Sequence, residues 1–181
     1  MAGVTYVFAP WGYYMGGRFH AIPLWQGVGR LHSNSAGGDY AIYVWFWPSH
    51  GRFRQLAYVN GSAMVCTPRG EKFTLRLGGD FDKPPGHDLD GKKGRLYMFN
   101  RTASHIFNGG SARPELELHG QWSGPDLVMD DHGSIARNFE PDGKLYAGHS
   151  PSRPYMSEVS PVTLREGGKS DFEAACAAVK R

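Results

Sequence analysis

The stretch YAIYVWFW, residues 40–47, places five aromatic side chains in eight positions and restricts the fold more than any other feature of the chain. The run is short, β-branched and aromatic, and is bounded by Gly37-Gly38-Asp39 and by Pro48-Ser49-His50-Gly51, so it reads as a strand and not as a helix. Strand alternation puts Tyr40, Ile42, Val44 and Phe46 on one face and Ala41, Tyr43, Trp45 and Trp47 on the other. Both faces are apolar. Such a strand is either covered on both sides, or has one side in a core and the other forming an aromatic platform.

The same reasoning marks further strands at 4–8, within 18–32, and at 54–59, 62–67, 72–77, 95–100 and 115–122. Residues 127–129, 135–139 and 145–146 read as a meander, with tight turns expected at Asp130-Asp131-His132-Gly133 and Pro141-Asp142-Gly143. The 25 glycines and 12 prolines recur in short clusters between these runs, as punctuation between many short strands requires. One helix is expected at about 171–180, where Ser170 and Glu173 form a capping box and Phe172, Ala175, Cys176 and Val179 make an apolar stripe. No strand-helix alternation and no fixed repeat is present. The fold expected is therefore all-β: an antiparallel β-sandwich or barrel of about ten short strands with one C-terminal α-helix, in a single domain over 1–181.

Several chemistries lose their usual support. The motifs GxSxG, HExxH, GxxxxGK[ST] and GxGxxG are missing, and the eight histidines include no HxH pair that would set two ligands on one strand face. The acidic segment 78–94, with Asp80, Asp82, Asp88 and Asp90, reads as a solvated loop, because Lys92-Lys93 stands where further Ca²⁺ ligands would be needed. Glu115, Glu117 and His119 share one strand face and read as a polar stripe opposite Leu116 and Leu118. Cys66, within an apolar run, reads as an inert buried thiol; a disulfide to Cys176 is open only to an exported chain. No metal site, cofactor or catalytic residue is assigned. No run is long and apolar enough to span a bilayer.

Fourteen of the 24 aromatic residues lie between Tyr6 and Tyr58, accompanied by Arg18, Arg30, Arg52 and Arg54. Core formation alone accounts for much of this, since aromatic rings dominate burial. The functional expectation is a non-catalytic binding module with an aromatic surface for sugars or another planar ligand, built from Tyr43, Trp45, Trp47 and Trp25. Polar groups at its edge would come from Arg52, Gln26, Asn34 and His50. Two alternatives stay open: single-stranded nucleic-acid binding on the same rings, or a glycoside hydrolase-like site assembled from separated residues. The first 70 residues carry five dispersed arginines and no lysine, a thin footprint for a polyanion. An extracytoplasmic location is slightly favoured by the all-β character with few lysines; the triplets Asn60-Gly61-Ser62 and Asn100-Arg101-Thr102 fit the N-glycosylation pattern, which matters only in a eukaryotic secretory route.

Overall fold

A computed structural model of the chain describes residues 24–33, 38–49, 56–82, 93–100, 114–123, 126–136 and 156–179. Nine strands fall within them: β1 (Trp25–Ser33), β2 (Gly38–Ser49), β3 (Leu56–Cys66), β4 (Lys72–Asp82), β5 (Lys93–Asn100), β6 (Leu116–Ser123), β7 (Asp126–Ala136), β8 (Met156–Glu158) and β9 (Val162–Glu166). From β1 to β7 each strand pairs antiparallel with the next, and β9 joins β7 to β1. Eight strands thus close into a barrel. The short β8 is an additional strand on the far end of β7. One helix, α1 (Lys169–Val179), follows β9.

The interior is made by the alternation legible in the sequence. Tyr40, Ile42, Val44 and Phe46 of β2 are all fully buried inside, with Leu75 and Leu77 of β4, Leu96 and Met98 of β5, and Leu116 and Leu118 of β6. An eight-stranded barrel is just wide enough for side chains to fill it. One end is closed by a ring of four aromatic side chains: Trp25 meets Phe46 at 5.1 Å and Trp122 at 5.2 Å, and Phe81 meets Phe46 at 6.2 Å and Trp122 at 5.8 Å. The two indoles cross at 86°, which sets the electropositive edge of one on the face of the other. Neither indole N–H has a hydrogen-bond acceptor among the described residues. Two glycines make room for these rings. A Cβ on Gly27 would lie 2.1 Å from the Trp25 ring, and one on Gly94 would lie 2.1 Å from the Phe81 ring.

Several local expectations are corrected. Residues 54–59 and 62–67 are not two strands: β3 runs unbroken through Asn60-Gly61-Ser62. Gly61 is there because β2 approaches closely, since a Cβ on it would stand 2.0 Å from the Trp45 carbonyl oxygen. The strand expected at 72–77 continues to Asp82, so Asp80 and Asp82 belong to β4 and not to an acidic loop; Asp88 and Asp90 lie outside the described residues. Asp130-Asp131-His132-Gly133 is no hairpin turn. It lies within β7 at a bulge, where the pairing with β6 shifts between His119 and Gln121 and β7 changes neighbour from β9 to β8. Gly120 opposite the bulge has the β7 backbone 1.9 Å from where a Cβ would sit. Strands β8 and β9 are not expected from sequence, and residues 4–8, 18–23, 54–55, 137–139 and 141–146 lie outside the described residues.

The helix begins two residues earlier than expected, and its cap differs. Gly168 is the residue before the first turn, and its N–H donates to Asp171 Oδ2 at 2.7 Å, while Phe172 N–H donates to the Gly168 carbonyl at 3.2 Å. The acidic residue three positions on from the cap therefore serves the capping role assigned to Glu173. Glu173 instead pairs with Lys72 of β4, and Ser170 is exposed. The apolar stripe is as expected: Phe172, Ala175, Cys176 and Val179 are buried. Cys66 is not a free thiol. It forms a disulfide with Cys176 across a sequence separation of 110 residues, tying α1 to the outside of the barrel.

Candidate functional site on the outer barrel face

Because β2 turns Tyr40, Ile42, Val44 and Phe46 inward, Ala41, Tyr43, Trp45 and Trp47 face out. Helix α1 covers the first part of that row. Ala41, Tyr43 and Cys66 form a second buried cluster with Phe172, Ala175, Cys176 and Val179, and Val28, Trp45 and Met64 pack at its margin. Tyr43 lies 6.0 Å from the Phe172 ring and stacks on Trp45 at 5.0 Å with 29° between planes. Its hydroxyl donates to Gln26 Oε1 at 2.7 Å. The row then emerges from under the helix: Trp45 is half-buried, and Trp47, at 46%, is the one exposed large hydrophobic side chain among the described residues.

Burial raises the Tyr43 phenol above its ordinary value of 10.0. The folded state therefore keeps this proton at pH values where the unfolded chain releases it. The contribution to stability is present in full below pH 10.0 and is lost as pH rises through the folded-state value. In alkaline unfolding titrations Tyr43→Phe is expected to show a shallower loss of stability above pH 10 than the parent. An identical slope would show that the phenol reaches solvent.

Polar side chains flank the exposed end of the row. Gln26 and Ser62 are the register partners of Trp45, and Asn60 is the partner of Trp47. Continuing around the barrel, Asn60 pairs with Gly78, Gly78 with Tyr97, and Tyr97 with Glu117. The neighbouring row holds a connected network. Asp80 accepts from Arg95 Nε at 3.0 Å and Nη2 at 2.6 Å, and Arg95 stands 5.8 Å over the Tyr97 ring. Tyr97 meets His119 edge-on at 6.4 Å, and His119 Nε2 shares a hydrogen bond of 2.6 Å with Glu117 Oε1. Burial raises the Tyr97 phenol above its ordinary value; Arg95 opposes that shift, and Asp80 and Glu117 add to it. The network holds one arginine, two carboxylates and a histidine in fixed geometry around an aromatic ring.

Of the residues expected to form the site, Trp45, Trp47 and Gln26 are brought together on this face; Tyr43 shares the face but is buried beneath α1 against Phe172, where it backs Trp45 and presents no open ring. Trp25 lies elsewhere, inside the barrel at 3% exposure, because it opens β1 on the inward phase and closes the aromatic ring with Phe46 and Trp122. Arg52, Asn34 and His50 lie outside the described residues. Sequence reasoning missed Asn60, Tyr97 and the Asp80–Arg95 pair. Asn60 falls between two expected strands and Asp80 in the expected acidic loop, so sequence alone puts neither on a strand face. The alternation of Gly78 and Asp80 with Leu77, Gly79 and Phe81 was the available signal.

Among the described residues no group of three or more His, Cys, Asp or Glu is arranged to hold a metal ion, and no helix is long and apolar enough to cross a membrane. The barrel interior is apolar and the outer face carries Lys72, Arg76, Asp80, Arg95 and Glu117, a polarity opposite to that of a lipid-facing barrel. Comparison with protein families, with curated proteins and with solved structures returns no match.

Proposed function

We propose that the chain is a non-catalytic binding module that stacks a sugar ring, or another planar ligand, on the Trp45–Trp47 surface of its barrel. The observation that carries this reading is Trp47 itself. It follows the stacked pair Tyr43 and Trp45 on the same face of β2 and, at 46% exposure, presents a large apolar ring to solvent. Gln26, Ser62 and Asn60 beside it supply the mixed donors and acceptors that orient a hydroxylated ligand. Among the described residues the charge on this face is balanced, with Arg76 and Arg95 against Asp80 and Glu117, which favours a neutral ligand over a polyanion. The Cys66–Cys176 bridge fits a chain that works in an oxidising compartment.

The test is a titration of the parent protein with a panel of neutral oligosaccharides, followed by tryptophan fluorescence. A saturable shift whose midpoint is the same at about 50 and about 200 mM salt is expected, because no counterions are released. Saturation by an oligothymidylate, with affinity collapsing over that salt range, would assign the surface to single-stranded nucleic acid instead.

A further inference from the structure

Gly78 sits at an outward position of β4, between Asn60 of β3 and Tyr97 of β5, its register partners on either side. A Cβ built on it would meet no atom of the described residues within 4 Å. The nearest strand glycines in sequence behave differently: on Gly61 and Gly79 a Cβ would strike protein atoms at 2.0 and 2.5 Å. Those two are glycine because another part of the chain comes close. Among the described residues nothing comes close enough to Gly78 to ask for glycine, and its backbone has no left-handed φ. A glycine in a strand interior gives up packing and conformational entropy; the register of β4 is unbroken here on both sides, so no bulge accounts for it, and close approach of a ligand is a reason to place one.

The rim of the opening is polar and aromatic. Arg76 and Asp80 stand two residues to either side on the same strand face, and Asn60 and Tyr97 stand across. The bidentate Arg95 contact fixes the Asp80 carboxylate, and the same guanidinium lies over Tyr97, so two of the four rim groups are held in place. We propose that this notch seats one ring of a neutral saccharide, with an apolar ring face against Tyr97 and hydroxyls reaching Asn60, Arg76 and Asp80. Trp47 lies on the other side of Asn60, two strands from Gly78, or about 10 Å around the barrel. A short oligosaccharide bridges that distance. The notch and the Trp47 surface are then two subsites of one binding site, and this inference rests on the reading of the outer face as a sugar surface.

The experiment fills the notch. Gly78→Val enters open space on a β-compatible backbone, so its melting temperature is expected to equal or exceed that of the parent. Affinity for the best-bound oligosaccharide of the panel is expected to fall at least tenfold. Tyr97→Ala, which adds no bulk, is a second variant and is expected to weaken the same ligand by a similar factor. Parent-like affinity in a folded Gly78→Val protein, with Trp47→Ala impaired, would overturn the notch and leave the Trp47 surface standing. Were Gly78→Val unable to fold, parent-like affinity in Tyr97→Ala would overturn it equally. Failure of the parent to bind any sugar of the panel overturns the notch together with the sugar surface.

Discussion

Replacing Cys66 and Cys176 together by alanine is expected to lower the unfolding free energy by about 2 to 5 kcal/mol. The bridge closes a loop of 110 residues, and by chain entropy a loop of about that length is worth about 4.7 kcal/mol to the folded state. It joins β3 to the middle of α1, beside Phe172 and Ala175. Without it the helix is held by its apolar stripe, its Gly168–Asp171 cap and the exposed Lys72–Glu173 pair. Such exposed ion pairs contribute at most about 1 kcal/mol. Urea unfolding of parent and double variant, each under non-reducing conditions, gives the difference directly. A change below about 0.5 kcal/mol would mean that α1 is not coupled to the barrel in unfolding.

The second large effect is expected at the closed end of the barrel. Trp122→Ala removes a side chain at 2% exposure that touches both Trp25 and Phe81, and should cost about 3 to 5 kcal/mol, as large-to-small changes of this size do in packed cores. Phe81→Ala should fall in the same range, since the Phe81 ring completes the same aromatic cycle with Phe46. The two substitutions share a cavity, so their double variant should cost less than the sum. Additive losses would show that the four rings do not pack as one unit.

The fold was legible where hydrophobic alternation is strong. YAIYVWFW divides its residues between barrel interior and outer face as strand geometry requires, and the stripe Phe172, Ala175, Cys176 and Val179 docks as its spacing implies. What sequence did not disclose depends on partners distant in the chain. Gly61 looks like a turn until β2 is placed against it, and Asp130-Asp131 looks like a hairpin until Gly120 is placed opposite. The same holds for Cys66, whose apolar neighbours describe its burial correctly but do not reveal that Cys176 lies above it. Strand β9 does not stand out in the sequence because five residues with only Val162 and Leu164 inward carry too short a pattern. For the candidate site, the rings on β2 were visible and their cross-strand companions were not. Asn60, Gly78 and Tyr97 come from three strands and meet only through register.

The central claim is that β2 holds Phe46 for the fold and leaves Trp47 for a ligand. Trp47→Ala and Phe46→Ala, compared with the parent, test it when unfolding midpoint and oligosaccharide affinity are measured on the same samples. Phe46→Ala should lower stability by about 3 to 5 kcal/mol, the cost of emptying a fully buried aromatic site. Trp47→Ala should leave the midpoint within about 0.5 kcal/mol of the parent, as exposed positions do, and weaken the sugar at least tenfold. A Trp47→Ala protein that loses stability as Phe46→Ala does, or that binds the sugar as the parent does, would contradict the account.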